Sequence, residues 1–195
     1  MKLSAILFLA LAFCLAAPSR IDTAKTFGNP AAPVTIELFS DFQCPSCRGL
    51  HMQILPSLMR DYVVPGRAYL VYKEFPLMMH AHAREAATYA VAAARVGKYE
   101  QVADALFQNQ NAWAADGKIF ESIATALTPA EQKKVQTLVK DPGVLSEVAQ
   151  DVQEGLDQNV NQTPTMVIIR GTKRYPIGGV VNYSLLQSLL NDLSK

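Results

Sequence analysis

Two hydrophobic periods alternate along this chain, and the points where one gives way to the other mark its elements. From Val34 to Phe39, branched and aromatic side chains run together, which predicts a strand. Ser40-Asp41-Phe42-Gln43 makes a short connection, and a helix is expected from Cys44 to about Arg60. Pro65-Gly66 then marks a turn, and residues 67–75, with Tyr69, Leu70, Val71 and Tyr72, predict a second strand and hence a βαβ unit. Far downstream, Met166-Val167-Ile168-Ile169, the turn pair Gly171-Thr172 and residues 174–177 predict a hairpin that ends at Gly178-Gly179. Asn182 can cap a last helix with Leu185, Leu186, Leu189, Leu190 and Leu193 on one face.

Between these halves lie about ninety residues, far more than a crossover needs, and their period is helical. Ala83, Ala86, Ala87, Ala90 and Ala94 form a small-residue face that Gly97 can end. Val102, Leu106 and Phe107 mark the next helix, and further stripes follow at Ile119/Ile123/Ala124, at Val135/Leu138/Val139 after Thr128-Pro129, and at Leu145/Val148/Val152/Leu156 after Asp141-Pro142-Gly143. Four or five helices are expected, with their stripes used for packing. Trp113 falls in this insert.

The amino-terminal pattern changes the picture by naming a compartment. Lys2, an apolar run from Leu3 to Leu15 and the small residues Ala16 and Ala17 predict a secretory signal over residues 1–16, too short and too soon ended by Pro18 for a permanent membrane anchor. The expected location is therefore the periplasm or the exterior. Bulky Phe13 before Cys14 argues against a lipid-modified cysteine, so Cys14 belongs to the leader. Removing the leader takes away one of 18 basic residues and leaves 17 against 17 acidic, a formal charge of zero that gives no electrostatic case for nucleic acid. Half of the sequence is hydrophobic, enough for one buried core.

Only two cysteines remain in the mature chain, and they are three positions apart: Cys44-Pro45-Ser46-Cys47. At the first turn of a helix, Cys44 meets unpaired backbone N–H groups and the positive end of the helix dipole, which favour a thiolate. Cys44 is the expected attacking sulfur and Cys47, one turn further in, the resolving one. Pro45 suits the first helical position, where a missing N–H costs nothing. No cofactor is expected beyond the Cys44–Cys47 disulfide itself. Two other uses of these cysteines remain open: a Cys/His zinc site completed by His51, His80 and His82, and an inert disulfide, although so short a loop would add little stability.

The residues Gly28-Asn29-Pro30-Ala31-Ala32-Pro33-Val34-Thr35-Ile36 and Phe39-Ser40-Asp41-Phe42-Gln43-Cys44-Pro45-Ser46-Cys47 resemble the DsbA-type branch of the thioredoxin superfamily. Lys73-Glu74-Phe75-Pro76-Leu77, His80 and the alanine-rich helix are similar to the start of that branch's helical insert, and Thr163-Pro164-Thr165 to its cis-proline loop. The resemblance implies an α/β chain, a thioredoxin fold with an inserted all-helical domain: a first half over 17–78, the insert over 79–160 and a second half over 161–195. It also implies that Thr163 and Pro164 bind an extended substrate beside the sulfurs, a placement for which a cis X–Pro bond and strand-like peptide capture give a physical basis. Pro76-Leu77-Met78-Met79 could add an adaptable apolar lip.

Two positions depart from the branch. Many relatives carry a buried acidic proton relay six residues before the first cysteine, where this chain has Leu38; water, or Glu37 on the opposite strand face, would have to serve. Ser46 stands where the best-known oxidases have histidine, which leaves Pro45 at the helix mouth, the Ser46 hydroxyl and Arg48 to tune the thiolate and implies a less extreme oxidant. The function expected is an exported thiol–disulfide oxidoreductase, foremost a dithiol oxidase acting on exported polypeptides with cysteines and reoxidised by a membrane-bound partner. A disulfide isomerase or reductase, and a non-catalytic peptide- or metal-binding module, are the alternatives.

Overall fold

The computed structural model describes residues 25–195, so the expected signal segment and Cys14 lie outside the described residues. Five strands form one sheet in the order β1-β3-β2-β4-β5: β1 (Thr26–Phe27), β2 (Val34–Ser40), β3 (Ala68–Glu74), β4 (Thr165–Arg170) and β5 (Lys173–Gly178). β2 and β3 are parallel and the other neighbours antiparallel. The parallel pair requires a crossover, and α1, residues 45–63, supplies it.

α1 runs three residues past the expected end, and it is not a uniform α-helix. An α turn at Pro45–Gly49 passes into π-helical turns at Leu50–Ile54 and, after Leu55–Leu58, into a second π stretch at Met59–Val63. Pro56 has no N–H to give the turn before it, and wide bonds such as Leu55 N–H to the Leu50 carbonyl bridge that gap. The widened rod still buries Leu50, Leu55, Leu58, Tyr62 and Val63 against the sheet.

Alternation along the strands divides the core into two faces. Val34, Ile36 and Leu38 of β2, Leu70 and Tyr72 of β3 and Met166 and Ile168 of β4 point to the face covered by α1 and by α8 (Tyr183–Leu193). Phe39, Phe75 and Val167 point the other way. α8 begins at Asn182, whose side chain accepts from the Ser184 N–H, and it buries Leu186 and Leu190. Leu185, expected on that face, is exposed, because the helix meets the sheet along a narrower stripe.

The insert between β3 and β4 contains six helices, more than the four or five expected: α2 (Ala83–Ala94), α3 (Tyr99–Gln108), α4 (Gln110–Asp116), α5 (Ile119–Ile123), α6 (Pro129–Leu138) and α7 (Pro142–Asp157). The chain breaks helical geometry at Asn109, so Trp113 sits on a helix of its own, fully buried and donating its indole N–H to the Leu106 carbonyl. Thr128 and Glu131 form a reciprocal capping box on α6, and Asp141 caps α7.

α7 buries Val144, Val148, Asp151 and Gly155, whereas Leu145 and Leu156 of the expected stripe are exposed. The stripe is displaced by one position because a buried carboxylate, Asp151, belongs to it. Asp151 takes Lys25, Lys73 and the Glu74 backbone N–H, and so ties α7 to the sheet. Beside it the Glu74 carboxyl accepts from the Tyr99 hydroxyl at 2.7 Å, and burial pushes its pKa up to about 8. At Gly155 the packing is closest: a Cβ there would lie 2.5 Å from a ring carbon of Phe75 and 3.1 Å from Phe39.

That contact sets up a paired prediction. Gly155→Ala gains about 1 kcal/mol of helix propensity but meets an overpacking cost of about 1–3 kcal/mol, and its urea midpoint is expected to fall. Gly49→Ala, with nothing within 4 Å of its added Cβ, is expected to hold or raise the midpoint.

Candidate active site

Both sulfurs belong to the mouth of α1, but their surroundings differ. Cys44 is the N-cap in an extended conformation, Pro45 occupies the first helical position, and the next N–H groups turn back toward the Cys44 sulfur. Cys44 keeps 7% of its surface exposed and Cys47 only 1%. The Cys44 thiol donates to the Thr163 carbonyl at 3.4 Å, and the Asp41 backbone N–H donates to the Cys47 sulfur at 3.4 Å.

The electrostatic consequence is a division of labour. A hydrogen bond from Cys47 is the largest cause that lowers the Cys44 pKa to about 5; burial opposes it, and Thr163 and the backbone N–H groups of Cys47 and Ser46 add to the lowering. Cys47 moves the other way, well above an ordinary thiol, because burial and its bond to the Cys44 sulfur hold its proton. The two sulfurs are thus chemically unequal, one disposed to the thiolate and the other to the thiol.

The Thr163–Pro164 bond is cis, and it brings Thr163 beside Cys44. Among the described residues the buried Thr163 hydroxyl has no hydrogen-bond partner, so it is available to the sulfur once Cys44 is a thiolate. Ser46 contributes through its backbone N–H, with its side chain exposed. Arg48 points elsewhere: its Nε donates to the Phe107 carbonyl at 2.9 Å, so the structure uses it to fasten α1 to the insert. Glu37 faces away on the other side of the strand, held by Arg174 and Gln158. The three histidines do not meet. His51 pairs with Asp104, His80 with Asp41, and the His82 ring lies against Gly117. Among the described residues no group of three or more His, Cys, Asp and Glu is placed to hold a metal ion.

Several residues that shape the site carry no local signal in the sequence. Gln110, buried at the start of α4, donates from Nε2 to the carbonyls of Phe42 (2.7 Å) and Cys44 (3.0 Å). Gln43 reaches the same insert, accepting from the His82 N–H and donating to the Ala114 carbonyl. Asp41 organises the approach loop, accepting from the N–H groups of Gln43 and Leu77 and bonding His80 at 2.7 Å. Nothing in periodicity marks a glutamine 66 positions from the cysteine it holds.

Residues 21–192 match the family model described as thioredoxin. The chain belongs to the thioredoxin family. It is 21% identical over 156 residues to the "Probable disulfide bond formation protein D" of Bacillus cereus, a match that covers 75% of this chain and 70% of that one. The crystal structure of Wolbachia pipientis alpha-DsbA1 superposes with a TM-score of 0.73 at 16% identity, covering 93% of this chain and 94% of that one, and so supports the fold. A thioredoxin-like oxidoreductase from Silicibacter pomeroyi reaches 26% identity and a TM-score of 0.68 over 86% of this chain and 90% of that one. In this chain an unequal thiol pair at a helix mouth faces a cis-proline loop below a helical insert.

The proton balance makes a pH prediction. Because the folded Cys44 pKa is depressed, its thiolate stabilises the reduced form progressively from about pH 5 upward toward the ordinary thiol pKa near 9, and that stability is lost as pH falls through about 5. Ultraviolet thiolate absorbance of the reduced protein is expected to titrate near pH 5, and the stability gap between reduced and oxidised protein to narrow as pH falls from about 9 toward 5. Thr163→Val, which removes the hydroxyl beside the sulfur, is expected to move that titration upward.

Proposed function

We propose that this protein is a dithiol oxidase, which donates its Cys44–Cys47 disulfide to exported polypeptides and is reoxidised by a membrane-bound partner. The observation that carries this reading is the placement of Cys44 at the helix mouth beside the Thr163 loop, with Cys47 buried behind it, which favours a thiolate on Cys44 and a thiol on Cys47. A couple whose reduced form is stabilised as a thiolate gives up its disulfide readily, since reduction potential rises with the stability of the dithiol state. The attack runs on Cys44: a substrate thiolate bonds to its sulfur, the Cys44–Cys47 bond breaks, and Cys47 leaves and takes up a proton. A second substrate thiol then displaces Cys44, so the substrate is oxidised by two electrons and the protein reduced.

The surface around Cys44 suits an unfolded client. Met78 and Met79 are almost wholly exposed on the loop that Asp41 holds, and Val180 is exposed just after Gly179, whose N–H donates to the Pro164 carbonyl. Apolar, adaptable methionines and an extended backbone at Thr163 accept many sequences. The secretory pattern of residues 1–16 supports export into a compartment where disulfides persist. Among the described residues no helix is long and apolar enough to cross a membrane.

Equilibration of the mature protein with glutathione tests the direction. A potential on the oxidising side of about −200 mV is expected, with oxidation of a reduced unfolded substrate abolished by Cys44→Ala. A potential near −270 mV, the thioredoxin value, or rescue of a scrambled substrate as fast as oxidation of a reduced one, would replace the oxidase with a reductase or an isomerase.

A further inference from the structure

Cys47 must lose or gain a proton in every cycle, yet it is 1% exposed and its strand neighbour at position 38 is an apolar leucine. Glu37 is committed to Arg174 on the far face of the sheet. A different polar chain lies in the core cluster that holds Cys47, and it includes Tyr72, on which Cys47 acts electrostatically. His51 lies four residues further along the same helix, which places it on the same side one turn away. Tyr72 is the cross-strand partner of Leu38 in the parallel pair, so its side chain shares the face that Cys47 packs on. The Tyr72 hydroxyl is 3.3 Å from His51 Nδ1, and His51 Nε2 is 2.7 Å from Asp104 Oδ1. Asp104 is half exposed, and a cavity of about 400 Å³ opens onto His51, Tyr72 and Asp104 from outside.

We infer that Tyr72, His51 and Asp104 form the proton path of Cys47, in place of an acid at position 38 of β2. The inference rests on the exchange chemistry of the Cys44–Cys47 pair. Hydrogen-bond chemistry sets the direction of each link. An ionised Asp104 only accepts, so His51 carries its proton on Nε2, and the neutral ring leaves Nδ1 to accept from Tyr72. Burial favours these states, holding His51 below its ordinary pKa and Tyr72 well above its own. Facing His51 are Asp104 and Glu100 from α3 and Tyr72 from β3; Cys47 of α1 acts electrostatically on Tyr72, and Tyr99 of α3 packs on Tyr72 and holds Glu74.

The step balances without any further reagent. When reduced protein meets glutathione disulfide, the Cys44 thiolate bonds to one glutathione sulfur and releases the other as a thiolate. Cys47 then attacks the Cys44 sulfur, the Cys44–glutathione bond breaks, and the second glutathione leaves as a thiolate. The Cys47 proton moves toward Tyr72 as the Tyr72 proton moves to His51 Nδ1, and His51 returns a proton to water at Asp104.

Rapid acid quench with mass spectrometry separates the two steps, because the mixed disulfide with glutathione has its own mass. At pH 7, His51→Gln, which keeps neutral hydrogen bonding but cannot relay a proton, is expected to slow resolution of the mixed disulfide by about 100-fold, the low side of general acid–base effects. Tyr72→Phe is expected to do the same, with formation of the mixed disulfide unchanged in both variants. In the unaltered protein the resolution rate is expected to fall at acid pH as His51 takes up its own proton, a limb that His51→Gln abolishes. If Tyr72→Phe does not fold, Asp104→Asn, at the half-exposed end, is expected to slow resolution while sparing formation. Resolution that survives His51→Gln unchanged, equal slowing of both steps, or a loss that appears in Glu74→Gln instead, overturns the path. Failure of the unaltered protein to form the mixed disulfide at all overturns the exchange chemistry beneath it.

Discussion

One proton, held by the inner of two sulfurs and denied to the outer, is the constraint on which the rest of this structure depends. Two identical thiols three residues apart would titrate alike in water. Here the helix mouth and the neighbouring thiol favour charge on Cys44, while burial forbids it on Cys47. Everything near the pair serves to keep that asymmetry: Pro45 opens the helix, the Asp41 N–H reaches Cys47, and the Thr163 loop closes over Cys44.

Asymmetry of this kind needs a rigid frame, and the frame comes from outside the thioredoxin core. The loop before α1 is short, and without Gln110 its Phe42 carbonyl would lose a buried donor, a cost of about 1–3 kcal/mol, and the Cys44 carbonyl would keep only the Arg48 N–H. Gln110 satisfies both from the insert, and Arg48 and Gln43 add two more ties across the same boundary. On the opposite face, Asp151 gathers Lys25, Lys73 and the Glu74 N–H, so that α7, although it is the last helix of the insert, covers the sheet.

Strands β2 to β5, the CxxC helix and the last helix were legible because their hydrophobic periods are local properties, and the thiol pair because its spacing is; the two-residue β1 is too short to show a period. What the sequence concealed had two physical causes. Polar residues recruited into a core shift a helical stripe, as Asp151 does on α7, and a proline inside a helix can be absorbed by π turns rather than end it, as at Pro56. The second cause is distance along the chain. Gln110 and Asp104 act on residues 66 and 53 positions away, and no periodicity reports such a meeting. Arg48 shows the converse: adjacency to a cysteine suggested a charge partner, but the side chain is long enough to reach a neighbouring helix.

Gln110 touches the backbone of the reactive loop without touching either sulfur, and this has an evolutionary corollary. Drift on the outward surfaces of α5 and α6 is chemically silent, and those surfaces are free to acquire new partners. A single exchange of amide for hydrocarbon at the root of α4, by contrast, alters the temper of the reagent while leaving its every atom in place.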